Sequence, residues 1–114
     1  MAKIGGNITG IFQTCTTAKN KIGEAEKKWE SAVEHVGWLD LQSGDSKYSN
    51  FNAKLEESTH IFLCDFKAAL YALADRDVRA IFKGVVYDVL LIDNPMEMNE
   101  QLEIYLRKVG AWNG

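Results

Sequence analysis

The chain has 114 residues, 46% of them hydrophobic and 11% aromatic, which is too apolar for a disordered chain and enough for one modest core. Its formal charge of −3, with lysines scattered rather than gathered in a stripe, argues against nucleic acid as the main partner. No apolar run approaches the ~20 residues of a membrane-spanning helix, so a single soluble domain over residues 1–114 with no membrane partner is expected.

Residues 1–6 carry one lysine with no apolar segment of about 7–15 residues behind it, and do not read as a signal peptide. Residues 8–17 are rich in β-branched side chains and form a strand candidate, with Ile8, Phe12 and Cys15 as inward positions. Gly10 interrupts the alternation and marks a candidate bulge. After a polar turn over residues 18–23, two periods fit residues 24–36. Ala25, Trp29, Ala32, Val33 and Val36 recur at i, i+4, i+7, i+8 and i+11 among good helix formers, which favours a helix. Read as a strand, the same stretch places Ala25, Lys27 and Trp29 on one face. Residues 36–41 are a strand candidate, Leu39 and Leu41 on one face and Trp38 and Asp40 on the other.

Residues 43–58 are polar, with apolar side chains only at Tyr48, Phe51, Ala53 and Leu55, and too long for a tight turn. Loops of that length in compact domains are functional or disordered, so this is the first place to expect contact with another molecule. Residues 59–66 have the length and aromatic content of a buried strand. Residues 68–74, alanine- and leucine-rich, predict one or two helical turns.

The most legible stretch is residues 78–92, where apolar residues alternate on both sides of Lys83-Gly84 as in a two-residue β-hairpin. That register faces Phe82 with Val85, Ile81 with Val86, Ala80 with Tyr87, Arg79 with Asp88 and Val78 with Val89. It sends Val78, Ala80, Phe82, Val85, Tyr87, Val89 and Leu91 to one face. The Arg79–Asp88 cross-strand pair adds roughly 0.2–1 kcal/mol. Asp93-Asn94-Pro95 closes the second strand. Residues 101–109 alternate Leu102, Ile104 and Leu106 with Glu103, Tyr105 and Arg107 as in a half-buried strand. A helix face through Leu102, Tyr105, Leu106 and Val109 is the alternative; the neighbouring hairpin and Pro95 favour the strand.

Little in the sequence points to catalysis. His60 and Cys64 sit on one strand face, but at ~3.3 Å per residue they lie about 13 Å apart, too far for a nucleophile–base pair. His60 and Asp65 fall on opposite faces, and no Cys-x-x-Cys or His-x-x-x-His spacing occurs. The carboxylates of Glu56-Glu57 and Asp75-Arg76-Asp77 read as solvated surface. Cys15 and Cys64, widely separated, suit reduced thiols. Hence no catalytic residue, cofactor or metal site is expected. Trp29 and Trp38 read as core or inter-strand packing, whereas Trp112 has little local chain to bury it and is free to dock on a partner.

Taken in order, the strand over residues 8–16, Gly23 followed by Trp29, Gly37-Trp38-Leu39, the long polar loop, and Ser58-Thr59-His60-Ile61-Phe62 form a familiar series. Asp75-Arg76 leading into the hairpin, Asp93-Asn94-Pro95, and Leu102-Glu103-Ile104-Tyr105-Leu106 complete it. Over nearly its whole length the chain resembles the small head-tail joining (head closure, stopper or connector) proteins of tailed bacteriophages and their collar homologues in phage-tail-like particles. The helical character of residues 25–36 and 68–74 departs from the family pattern.

The resemblance implies a mainly β fold, a small antiparallel β-barrel or sandwich with one short helix and a long polar loop. It further implies a structural, non-enzymatic virion protein, assembled as a ring homo-oligomer in the neck or collar of the tail. Portal or adaptor protein would lie on the head side, and tail terminator or tail tube and sheath proteins on the tail side, with DNA met only by passage through the channel. Carried over by position, Ser43, Asp45, Lys47, Tyr48, Phe51 and Lys54 of the loop make inter-subunit or channel contacts. Trp112 meets the neighbouring ring, and Phe82, Gly84 and Tyr87 build the hairpin scaffold. The alternative is a small β-barrel module that binds nucleic acid or peptide.

Overall fold

A computed structural model describes residues 3–41 and 58–112. Six strands make up most of it: β1 (Ile8–Lys19), β2 (Ala25–Leu41), β3 (His60–Asp65), β4 (Val78–Phe82), β5 (Val85–Asp93) and β6 (Gln101–Ala111). A four-residue helix, α1 (Ala68–Tyr71), follows β3, and a tight turn at Pro95–Glu97 separates β5 from β6. Every neighbouring pair is antiparallel, and the order β1-β2-β3-β6-β5-β4 closes on itself as a barrel. The mainly β expectation holds.

The hairpin is the seed of this arrangement. Lys83 (φ 49°) and Gly84 (φ 76°) both take the positive φ that a type I′ turn requires, and the ladder pairs Phe82 with Val85 through Arg79 with Asp88, the expected register. The pair Val78–Val89 lies beyond that ladder. Phe82 and Tyr87 are buried. Leu91 is a correction. A bulge after Val89 pairs Leu91 with Tyr105 and turns Ile92, paired with Ile104, into the core in its place.

Inside, Phe12 of β1, Phe62 of β3 and Phe82 of β4 meet in pairs with centroids 4.8 to 6.0 Å apart, each almost wholly buried. Leu102, Ile104 and Leu106 fill the β6 side, and Leu70 and Leu73 seal the barrel from α1 and the turn after it. Gly10 is not a bulge: a Cβ there would meet the Phe82 ring at 2.5 Å, so its missing side chain is the space the ring occupies. The bulge falls instead between Phe12 and Gln13, opposite Ala32.

The largest correction concerns residues 24–36, which form strand rather than helix. Phe12 pairs with Val33 but Gln13 with Ser31, so Ala32 is an extra residue that reverses the face of everything before it. Val33 consequently points inward, Trp29 lies half-buried outside the barrel, and Ala25, Ala32 and Val36 are exposed. Cys15, paired with Trp29, is also outside rather than in the core. Further along β2, Leu39 packs against the core whereas Leu41 is 73% exposed. Trp38 lies outside too, its indole Nε1 donating to the Ile4 carbonyl at 2.8 Å.

Between these two parts of β2 stands Gly37, paired with Ile8 on one side and Cys64 on the other, with Gly6 laid across it so closely that a Cβ on Gly6 would sit 2.3 Å from the Gly37 Cα. Truncating the central ring, Phe62→Ala, should lower the unfolding free energy by about 3–5 kcal/mol, the usual cost of emptying such a site. Urea denaturation of the two proteins measures this, and a loss below about 1 kcal/mol would contradict the packing described.

Candidate assembly surface

Past Thr14 the partnership between β1 and β4 ends. A last hydrogen bond, Cys15 N–H to the Asp77 carbonyl at 3.0 Å, closes it. From there residues 16–28 continue as a two-stranded ribbon in which β1 pairs only with β2, from Thr16 opposite Lys28 to Lys19 opposite Ala25. The tip is built by Asn20. Its Oδ1 accepts the Ile22 and Glu24 N–H groups at 3.0 Å each, and its own N–H donates to the Glu24 carbonyl. The ribbon's four cross-strand pairs, from Thr16 opposite Lys28 to Lys19 opposite Ala25, extend roughly 13 Å before the turn, in keeping with a molecule that measures 50 × 30 × 26 Å.

The root of this arm is fixed by a polar row running across the outside of five strands. Ser31, Gln13, Arg79, Asp88 and Arg107 are successive cross-strand partners. Gln13 donates to Ser31 Oγ at 3.3 Å and accepts from Arg79 Nε at 2.7 Å, and the Arg79 guanidinium lies 4.6 Å from the centre of the Trp29 ring. Asp88 takes its ion pair from Arg107 at 2.9 Å, although Arg79 is its neighbour in register. Both partners of that pair are nearly half exposed, so it contributes little to stability.

Along the arm itself the apolar content is small. Ile22 at its tip is 76% exposed, and residues 16–19 and 21–28 are exposed throughout. An isolated two-stranded ribbon is marginal in water, and its two backbone edges invite another strand. Since Cys15 turns its N–H outward to Asp77, the strand alternation places the N–H and C=O groups of Thr17 and Lys19 on the same side, beyond the end of β4. Among the described residues nothing pairs with that edge.

The other expected contact residues divide in two. Ser43, Asp45, Lys47, Tyr48, Phe51 and Lys54 lie outside the described residues. Trp112 is described: its N–H donates to the Gly84 carbonyl at 2.8 Å, which sets it beside the Lys83-Gly84 turn, 41% exposed. Exposed Met96 and Met98 occupy the turn between β5 and β6, held by Asn94, whose Oδ1 accepts the Asn99 N–H.

Where the fold gathers titratable groups, they are engaged in holding the chain. The Asp65 carboxylate accepts the Ile4 N–H at 2.8 Å and the Gly5 N–H at 3.0 Å, and His35 Nε2 bonds the Asp65 carbonyl at 2.8 Å. These bonds pin the segment that precedes β1 beside an open groove of about 550 Å³ that Lys3, Lys67 and Glu100 also line. The Ile4 hydrogen bond does most to hold the Asp65 carboxyl below the usual range. Partial burial opposes it, and the Gly5 bond and the Lys3 and His35 charges assist.

His60 stacks edge-on to Tyr87 at 5.0 Å, its Nδ1 2.9 Å from Thr59 Oγ1. Burial, then the Lys108 charge, lowers its pKa. Burial first, then the Asp65 charge, pushes the Cys64 thiol up to about 12 against an opposing hydrogen bond at Leu102. Tyr105 is likewise pushed up to about 12 by burial and by Glu103, whose Oε1 accepts its hydroxyl at 3.2 Å. Among the described residues no three His, Cys, Asp or Glu side chains are placed to hold a metal ion, and no helix is long and apolar enough to cross a membrane. No protein-family model matches the chain, and no curated protein matches it either.

Two measurements follow from this chemistry. Because a thiol with so high a pKa is almost wholly protonated at neutral pH, a disulfide reagent should titrate Cys15 alone in the folded protein and both thiols in denaturant. Rapid modification of Cys64 in the native state contradicts its burial. Because the folded Asp65 pKa is depressed, its stabilising bonds are present above the ordinary carboxylate range and are lost as pH falls through the folded value. Asp65→Ala should therefore speed amide exchange at Ile4 and Gly5 at neutral pH and flatten the acid limb of the stability profile; unchanged exchange there refutes the latch.

Proposed function

We propose that this chain is a structural ring subunit at the head-proximal end of a phage or phage-tail-like tail. It joins portal or adaptor protein to tail terminator, tube or sheath, and lets DNA pass through its channel where a filled head is present. The observation that carries the proposal is the arm. A closed barrel has no edges of its own to offer, yet here two of its strands run on as a ribbon that no described part of the chain covers. Such an element is stabilised when a neighbour supplies the missing strand, and a contact between two unlike surfaces of identical subunits propagates head to tail and closes as a ring where the rotation between subunits closes.

The remaining features support the same role. Gly37, Asn94 and Asp65 are spent on fastening the chain to itself, as a rigid scaffold requires. Exposed apolar side chains sit at separate extremities, Ile22 on the arm, Met96 and Met98 at one turn and Trp112 at another, which suits a subunit that meets more than one neighbour. In this reading Ser43, Asp45, Lys47, Tyr48, Phe51 and Lys54 reach the channel or an adjacent subunit, and Trp112 meets the next ring. The chain does no catalysis and takes no cofactor.

Electron microscopy of tailed particles, with gold-conjugated antibody against this chain, tests the proposal. The expected label is confined to the head-proximal end of the tail, and a capsid above it distinguishes phage from headless particle. Label absent from intact particles, with the protein free in the lysate, would defeat it. Deleting residues 47–52 should leave a folded barrel by circular dichroism but reduce joined particles at least tenfold; an undiminished yield removes the loop from the account.

A further inference from the structure

At the turn between β5 and β6 the chain holds two apolar side chains out into solvent at a conformational cost. Met96 is 89% exposed and Met98 56%, and no residue from Pro95 to Glu97 is buried. Met96, Glu97 and Asn99 all have positive φ, 54°, 53° and 57°, a region that residues with a Cβ rarely occupy.

Asn94, itself only 6% exposed, holds them there. Its Oδ1 accepts the Asn99 N–H at 3.1 Å, its Nδ2 donates to Asn99 Oδ1 at 2.8 Å, and its carbonyl accepts the Glu97 N–H at 2.8 Å. The Met98 N–H donates to the Pro95 carbonyl at 3.2 Å. The two thioethers take no part in these bonds, and neither methionine belongs to the barrel core. The turn is therefore fixed without them, and their chemistry can change while the fold stays.

We infer that Met96 and Met98 form an oxidation site, a pair of thioethers that hydrogen peroxide converts to sulfoxides on the free chain, and that the sulfoxide form is unfit for joining into the particle; the second half rests on the ring reading above. A sulfur lone pair attacks one peroxide oxygen. The S–O bond forms as the O–O bond breaks, sulfur gives up two electrons, and the other oxygen leaves as water with both protons. The cysteine sulfurs are less available: Cys64 is wholly buried, and Cys15 is partly covered. Oxidation turns a flexible apolar side chain into a polar one. A contact built on Met96 and Met98 would lose its apolar character, whereas the barrel would lose nothing.

The test uses the full chain with Cys15→Ser, treated with hydrogen peroxide in the folded state and digested for peptide mass mapping. One added oxygen should appear on Met96 and one on Met98, Met96 first in the order of their exposure, with circular dichroism unchanged. Either methionine left unmodified while a free methionine peptide in the same tube is consumed overturns the site. Added to a lysate that lacks the native chain, the oxidised protein should give roughly tenfold fewer joined particles, the effect of losing one modest apolar contact. Reductases for the two sulfoxide epimers should restore the yield. Met96→Leu with Met98→Leu, apolar but not oxidisable in this way, should join equally well before and after peroxide. An undiminished yield from the oxidised chain, or a loss that the leucine variant shares, overturns the effect on joining and leaves the ring reading standing. Antibody label absent from intact particles overturns the ring reading and leaves the oxidation site to the mass map.

Discussion

The structure depends on three aromatic rings, two on the paired strands β1 and β4 and the third, Phe62, on β3, which is bonded to neither. Phe12, Phe62 and Phe82 come from β1, β3 and β4, and their mutual contact is possible only when the sheet has curled far enough to close. Glycine at position 10 makes room for Phe82, and glycine at position 37 keeps β2 clear of the Phe62 ring and the Leu63 carbonyl. Closure then satisfies the backbone of the barrel strands internally. What it cannot do is share this core with strand that runs beyond it.

The functional reading grows from that division. Inside the barrel, burial and ring packing hold the chain without help. Outside, residues 16–28 have cross-strand bonds to each other, an Asn20-centred turn and the Trp29–Arg79 contact at the root, but almost no apolar burial. A free-standing ribbon of this kind contributes little to folding and exposes edges that natural proteins otherwise blunt. Its charged side chains, four lysines with Glu24 and Glu26, keep it solvated.

Much of this was legible in the sequence where one face of a strand is buried and the other is not. The hairpin about Lys83-Gly84, and the alternation of Leu102, Ile104 and Leu106 in β6, could be read in register because a one-residue slip would expose the core side chains. The arm was illegible for the opposite reason. With both faces in water, residues 16–28 have no apolar alternation, and the extra residue at Ala32 breaks the period just where Val33 enters the core. The chance spacing of Ala25, Trp29, Ala32, Val33 and Val36 then imitates a helix. Leu91 was misplaced by the same device, a bulge, which period-2 reasoning cannot see. Among sequence signals, Asn20 followed by Gly23 between two runs of alternating charge and β-branched residues was the one available hint of a hairpin tip.

The central claim is that the arm is completed by a neighbour, and backbone amide exchange reads it most directly. In tailed particles compared with the isolated chain, the account predicts that the Thr17 and Lys19 amides pass from rapid exchange to protection like that of the barrel strands, while Thr16 and Ala18, already bonded within the ribbon, change far less. Equal and rapid exchange at Thr17 and Lys19 in both states would mean that nothing adds to that edge, and the arm would have to be removed from any account of assembly.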